Sequence, residues 1–161
     1  MAIEYPYIPT GRVFIYVSAD NPFMIEAKEY ARTHSLDETV QTGAVIVKEG
    51  TVIGRGANGS DYHKEHGCER VKRGIPTGQS YELCEGCDPK NHAEPRAIAD
   101  AKKNGYDTHG ANLYLWGHWW ACEPCWNAMI EAGIENVHLM EGSERLFNKK
   151  HSDTIIGRQF I

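Results

Sequence analysis

The sequence lacks the marks of several large protein classes. No apolar run approaches the ~18 residues that cross a bilayer as a helix. Residues 1–6 carry neither a basic flank nor an apolar stretch, so we expect no signal peptide and a cytoplasmic location. Asp and Glu number 22 against 17 Lys and Arg, and the net charge of −5 argues against a protein that grips long nucleic acid. Internal repeats and low-complexity tracts are also missing.

What the sequence does contain is enough for one globular domain. Its 161 residues can bury a hydrophobic core without disulfides, and 41% hydrophobic with 24% charged residues is an ordinary globular composition. We therefore expect a single soluble domain over residues 1–161. Five cysteines stand out, because an odd number cannot pair completely within the chain. With no sign of export we expect reduced thiols, so the question is what they do.

The hydrophobic pattern predicts strands and helices in alternation. Strands are predicted at 12–17, 42–48, 51–55, 111–116 and 136–140, and helices at 21–33, 92–103 and 122–132. Asp20 is the expected N-cap of the first helix, and Glu49 with Gly50 forms the expected hairpin turn. Residues 57–90 show no period, which indicates a loop that is functional or held by something else. This order favours a layered α/β domain with parallel pairing in its C-terminal half.

Two short motifs carry metal chemistry, and each opens a predicted helix. His92 stands at one helix start, and Cys122 and Cys125 form a C-x-x-C pair at another. Cysteines at i and i+3 share one side of a helical turn, so both sulfurs can reach one metal ion. One histidine and two cysteines make a three-ligand zinc site with an open position for water, which is typical of catalytic zinc. Helix N-termini also favour thiolates over thiols.

Glu94 follows His92 by two positions and gives the site a carboxylate that is not itself a ligand. Such a group near a zinc-activated water can act as a general acid and base. A C-x-x-C pair alone is equally typical of a structural zinc half-site or a redox pair, and H-x-E alone indicates little. Their combination predicts a catalytic zinc.

H-x-E followed by C-x-x-C resembles the signature of the zinc-dependent cytidine and deoxycytidylate deaminase superfamily, and the resemblance covers about residues 21–141. It implies a cytidine deaminase-like three-layer αβα sandwich around a mixed sheet. It also implies that His92, Cys122 and Cys125 hold zinc and that Glu94 moves protons while hydroxide attacks C4 of cytosine and ammonia leaves. Family members are commonly homo-oligomers. One departure is Ala121, which stands where the family has proline before the first cysteine.

The segment before His92 favours one branch of the family. Cys68-Glu69-Arg70, the Pro-Thr-Gly at 76–78 and the Tyr-Glu-Leu-Cys at 81–84 resemble the C-x-R, P-S-G and Y-E-x-C series of deoxycytidylate deaminases, although Thr77 replaces the usual serine. We therefore predict that the chain converts dCMP to dUMP. Deamination of free cytidine, deoxycytidine or another base, editing of tRNA or single-stranded DNA, and a non-catalytic zinc module are the alternatives.

Substrate contacts are predicted from chemistry and from position in the motifs. Asn58 matches a family position that touches the nucleoside, arginines suit a phosphate, and tryptophans can stack on a pyrimidine. The predicted contacts are Asn58, Arg70, Ala93, Arg96, Trp119 and Trp120. For the arginines the alternative is a solvated surface, and for the tryptophans it is the core. His118 fits a pocket position and a structural role equally.

The three remaining cysteines fit a second zinc. Cys84 and Cys87 have a metal-type spacing, and Cys68 lies upstream beside His63 and His66. Three thiolates with one of these two histidines would make a closed structural site. Such an ion would pin the loop at about 58–91. The alternatives are three buried thiols or a Cys84–Cys87 redox pair.

Overall fold

A mixed five-stranded sheet organises the chain in the computed structural model, which describes residues 3–37, 39–76 and 79–160, without the side chains of His63, Lys64 and Glu85. The strands are β1 Phe14–Val17, β2 Gly43–Lys48, β3 Thr51–Ala57, β4 Asn112–Trp116 and β5 Asn136–Met140. Their order in the sheet is β1-β5-β4-β2-β3. The pairs β1–β5 and β4–β5 are parallel, whereas β2 is antiparallel to both β3 and β4. The predicted hairpin and the parallel pairing are thus confirmed.

Helices cover both faces of this sheet. They are α1 Pro22–His34, α2 Asp61–His66, α3 Glu69–Lys72, α4 Ala93–Lys103, α5 Glu123–Glu131 and α6 Ser143–Leu146. Alternation along the strands divides the core: Ala44 and Ile46 face α4 and α5, while Val45 and Val47 face α1. The result is the predicted three-layer α/β arrangement. No helix in the described part of the chain has the length and apolarity to cross a membrane.

Local signals place α1 one residue later than predicted. The cap is Asn21 rather than Asp20, because the Asn21 side-chain oxygen accepts the backbone N–H groups of Phe23 and Met24 at 3.0 and 3.2 Å. Met24, with Ala27 and Ala31, is buried against the sheet. Either residue is a good cap by type, and the position of Pro22 in the first turn agrees with both.

Two glycines of β3 let α4 pack very close to the sheet. The buried alanines at 93, 97 and 101 form one small-residue face of α4 and lie over β3. A Cβ atom on Gly56 would lie 2.4 Å from both Ala93 O and Ala97 N, and one on Gly54 would lie 2.4 Å from Ala97 O. Because Gly54 and Gly56 have no side chains, α4 can pack this close to β3.

The described residues of the 58–91 segment contain more regular structure than the predicted loop. They form α2, α3 and three short 3₁₀ turns at Tyr81–Leu83, Glu85–Cys87 and Pro89–Asn91. Thr77, which is part of the deoxycytidylate deaminase resemblance, lies outside the described residues.

Gly56→Ala tests the close approach of α4. The added methyl group has no room between β3 and α4, and we expect the free energy of unfolding to fall by about 2 kcal/mol. Urea denaturation measures this loss. Ala99→Ser, which adds one heavy atom at an exposed position of α4, is the matched control and should change stability little. An unchanged midpoint for Gly56→Ala would contradict the packing argument.

Candidate active site

The N-terminal ends of α4 and α5 meet at one point. His92 is the N-cap of α4 and Cys122 is the N-cap of α5, both with extended backbone, and Cys125 lies in the first turn of α5. His92 Nδ1 lies 3.2 Å from Cys125 Sγ and 3.6 Å from Cys122 Sγ, and the two sulfurs are 3.2 Å apart. The helices thus bring together the three predicted ligand atoms.

These three atoms fit a zinc ion. Ligands of a tetrahedral zinc, with bonds of 2.0–2.3 Å, lie about 3.5–3.8 Å from one another. The nitrogen and both sulfurs of His92, Cys122 and Cys125 all lie within 4.8 Å of one another. One imidazole and two thiols are also the donor chemistry that zinc prefers, and three protein ligands leave a position for water.

The sulfurs of this cluster differ in their electrostatics. The hydrogen bond with Cys125 lowers the pKa of Cys122 to about 5 despite its burial, and the neighbouring His92 acts in the same direction. The same contact raises the pKa of Cys125. Burial opposes a charge on His92, but the Cys122 sulfur and the Glu94 carboxyl outweigh it and raise the pKa of the imidazole. A thiolate at Cys122 is therefore available to a cation without a proton having to leave first.

Glu94 lies beside the cluster without joining its ligand set. Its side chain is only 5% exposed and forms a hydrogen bond with Cys125. Burial, together with the neighbouring Cys122, raises the pKa of the Glu94 carboxyl. A buried carboxyl takes up a proton more readily than an exposed one, which suits a general acid and base.

Two residues of the cluster, His92 and Cys122, line a cavity of about 460 Å³. This volume suits a small ligand. His92, Glu94 and Cys122 line its floor, and the walls come from five parts of the chain. These parts are the α1–β2 connection, the end of β3, the 67–91 segment, the β4–α5 connection and the segment after α6.

Asn58 and Ala93, two predicted substrate contacts, both line the cavity. The Asn58 carboxamide also ties the wall together, accepting from Thr42 N and Ser35 Oγ at 2.9 and 2.6 Å and donating to Val40 O at 2.6 Å. Asn58 is thus held in a fixed orientation at the cavity edge.

Arg70 also lines the cavity, but its guanidinium is already engaged with the wall. It is 7% exposed and donates to Gln79 O, Pro76 O and Cys87 Sγ at 2.7, 2.6 and 3.2 Å. Its carbon Cζ lies 4.5 Å from the ring centre of Tyr81, a cation–π contact. Arg70 therefore holds the 67–91 segment together.

Arg96 and Trp119, two further predicted substrate contacts, do not line this cavity. Arg96 donates to Ala57 O and Asn91 Oδ1, both at 3.1 Å, and faces a second, smaller cavity between α1 and α4. Trp119 stacks on Tyr5 at 6.3 Å and packs against the core. Trp120 does line the cavity and is 5% exposed.

Two further cavity residues come from outside the predicted contact set. His118 Nδ1 accepts the N–H groups of Trp119 and Trp120 at 3.0 and 3.3 Å, and burial lowers the pKa of His118 to about 3. A neutral imidazole with a fixed tautomer therefore faces the cavity. Lys149 enters from the segment after α6, where the sequence shows little pattern.

The remaining cysteines also cluster. The Sγ atoms of Cys68, Cys84 and Cys87 lie within 4.8 Å of one another, with Cys68 and Cys87 3.4 Å apart. His66 is exposed, with Nε2 3.8 Å from Glu65 Oε2, and is not part of this set. The side chain of His63 lies outside the described residues. Three of the four predicted ligands are thus brought together.

Comparison with known proteins gives one family and several solved relatives. The profile of the cytidine and deoxycytidylate deaminase zinc-binding region matches residues 17–141. None of the curated proteins matches the chain.

Among solved structures, the chain is similar to a dCMP deaminase from the cyanophage S-TIM5 in complex with dCMP and dUMP. The identity is 22%, the match covers 76% of this chain and 82% of that one, and the TM-score is 0.50, which shows a common fold. A diaminohydroxyphosphoribosylaminopyrimidine deaminase/5-amino-6-(5-phosphoribosylamino)uracil reductase from Thermotoga maritima is 28% identical over 73% of this chain, with a TM-score of 0.44. This chain spans only 28% of that protein. A tRNA:A34 deaminase is 28% identical over 73% of this chain and 75% of its own, with a TM-score of 0.47.

Arg70→Met tests the structural role of this guanidinium. The change keeps an apolar stem but leaves two carbonyls and the Cys87 sulfur without their donor, so we expect about 3 kcal/mol of destabilisation, concentrated in residues 67–91. Hydrogen exchange of the backbone amides locates the loss.

Arg73→Met is the control for this change, because Arg73 makes an exposed ion pair with Glu69. We expect it to lower the free energy of unfolding by less than about 1 kcal/mol. Equal effects of the two substitutions would show that Arg70 does not hold the segment.

Proposed function

Because the chain belongs to the cytidine and deoxycytidylate deaminase family, whose members are zinc-dependent hydrolases of C–N bonds, we propose that it deaminates a cytosine nucleotide, with dCMP and water giving dUMP and ammonia. The family membership and the α/β fold establish the class of enzyme. The substrate and the role of each residue are our proposal.

One observation carries this proposal. The buried carboxyl of Glu94 lies on the floor of a ligand-sized cavity, next to an imidazole nitrogen and two sulfurs that fit zinc. A purely structural metal site has no use for a buried acid that is not a ligand. Hydrolytic deamination does, because a proton must leave the attacking water and another must reach the departing amino group.

His92, Cys122 and Cys125 would hold the zinc, which when bound supplies the Lewis acidity that makes a neighbouring water acidic at neutral pH. Glu94 accepts the proton released as the water oxygen bonds to C4 of the ring. It delivers that proton to the ring nitrogen. It then accepts the second proton, from the hydroxyl on C4, and delivers it to the amino group, which leaves as ammonia when the C4–N bond breaks and C4=O forms, so that the carboxylate is regenerated. Its burial keeps bulk water from competing for this proton.

The walls of the cavity can orient the pyrimidine. Ala93 lies in the first turn of α4, where backbone N–H groups have no partner within the helix, and can donate to the ring carbonyl. The Trp120 ring offers an apolar face, and the neutral His118 presents Nε2–H because its Nδ1 is an acceptor. Asn58 is fixed at the edge where a sugar hydroxyl would lie.

We further propose that Cys68, Cys84 and Cys87 bind a second, structural zinc with a histidine of α2, His63 or His66. Helix α2 packs against the turn that contains Cys87, so its histidines start close to the cluster. The sulfurs are already within bonding reach of one ion. Such an ion would cross-link two parts of the 67–91 segment that forms the cavity wall.

Glu94→Gln tests the proton transfer. The amide has nearly the shape of the acid but cannot take up a proton, so we expect ammonia release from dCMP to fall about 10³-fold. Zinc content, measured by mass spectrometry, should stay the same because Glu94 is not a ligand. The control Glu123→Gln changes an exposed carboxylate at the start of α5 and should keep turnover. Near-normal turnover in Glu94→Gln would refute this mechanism.

Cys84→Ser tests the second zinc. We expect metal content to fall from two ions per chain to one and the melting temperature to fall, because a structural ion contributes folding free energy. Cys122→Ser should also lose one ion, but without exposing the 67–91 segment to hydrogen exchange. One zinc in the unsubstituted protein, or an unchanged melting temperature in Cys84→Ser, would remove the second site.

A further inference from the structure

The segment that follows α6 is a wall of the active-site cavity. Phe147, 4% exposed, packs edge-on against Trp116 of β4 with ring centres 5.0 Å apart. Phe160 contacts the same tryptophan at 5.1 Å. Both ends of the segment are therefore anchored on one buried ring of the central sheet.

Hydrogen bonds also join this segment to the α1–β2 connection, another part of the cavity wall. The Gln159 carboxamide makes two bonds with the backbone of Gln41, accepting from its N–H and donating to its carbonyl, both at 2.8 Å. Gly157 N donates to Thr39 O at 2.9 Å. Since Thr39 and Thr42 line the cavity, this pairing joins the segment to the site.

Lys149 lies between these anchors and lines the cavity together with Glu94 and His118. Its charge reaches His118, where it adds to the effect of burial in lowering the imidazole pKa. Lys149 and its neighbour Lys150 are both exposed, but Lys150 does not line the cavity. Of these two adjacent lysines, Lys149 alone therefore lines the cavity.

The other basic side chains of the cavity wall already have partners. Arg70 donates to two carbonyls and a sulfur, and Lys72 Nζ donates to His66 O at 2.9 Å. Within the described ranges, Lys149 Nζ makes no hydrogen bond or ion pair. An ammonium that faces a cavity without a counterion is suited to bind an anionic group of the ligand.

We propose that Lys149 binds the 5′-phosphate of the nucleotide and so determines the preference for nucleotide over nucleoside. This inference rests on the proposed function, because it names the residue that recognises one part of that substrate. Lysine binds phosphate as a compact point charge without needing a bidentate geometry. The phosphate is remote from the reacting ring, so its binding lowers KM and leaves the chemical step to Glu94.

The selectivity of the enzyme for dCMP over deoxycytidine measures the role of Lys149. We expect Lys149→Ala to lower the ratio of kcat/KM for dCMP to kcat/KM for deoxycytidine by roughly 10- to 100-fold, mostly through KM for dCMP. Lys149→Arg keeps the charge and should restore most of the ratio. Lys150→Ala, the adjacent exposed lysine, should leave the ratio unchanged.

Equilibrium binding separates the inference from the proposed function. Intrinsic tryptophan fluorescence, to which the cavity residue Trp120 contributes, reports binding of dUMP and deoxyuridine without turnover. The unsubstituted protein should bind dUMP more tightly, with most of the difference lost in Lys149→Ala. Equal losses for both ligands, or no loss, overturn the role of Lys149 even if ammonia is released. If no cytosine substrate releases ammonia, the proposed function is overturned, even if the protein binds dUMP.

Discussion

The meeting of two helix N-termini is the constraint on which the rest of the site depends. His92 and Cys122 are both N-caps with extended backbone, so their side chains leave the helices at the point where α4 and α5 converge. Convergence requires α4 to lie almost on the backbone of β3, which Gly54 and Gly56 permit. The same geometry buries Glu94 in the first turn of α4. Ligands, acid and cavity floor thus follow from one packing contact.

A second cysteine cluster is linked to this site through side chains. Cys87 accepts from Arg70, Arg70 lies over the ring of Tyr81, and Tyr81 meets the His92 imidazole edge-on with ring centres 5.1 Å apart. A change in the charge or metal state of the Cys68, Cys84 and Cys87 set would therefore act on the orientation of Arg70 first. The wall of the cavity and the second cluster are thus connected by direct side-chain contacts.

Much of the fold and the centre of the site could be predicted from the sequence, because both depend on local patterns. Hydrophobic periodicity and turn residues locate the strands and the main helices. The H-x-E and C-x-x-C motifs identify the three ligand atoms that come together. His92 and Glu94, two apart, do not share a helical face, yet both reach the site because His92 precedes the helix. That depends on cap geometry, which residue types alone suggest but do not determine.

The positions of the candidate phosphate-binding side chains depend on tertiary packing. Arg96 follows the motif but lines the second cavity, between α1 and α4. Arg70 is a phosphate candidate by charge, but its donors already bind carbonyls and a sulfur of the 67–91 segment. Lys149 has no local signature, because its place in the wall depends on Phe147, Gln159 and Phe160 anchoring a distant segment.

The central claim is that a zinc-dependent site at His92, Cys122 and Cys125 deaminates a cytosine nucleotide. The most direct test is steady-state ammonia release by the zinc-loaded protein from dCMP, deoxycytidine, cytidine, adenosine and guanine at equal concentrations. We expect the highest kcat/KM for dCMP and little release from the purines. Release from a purine in preference to every cytosine substrate, or from none of the five, would contradict it.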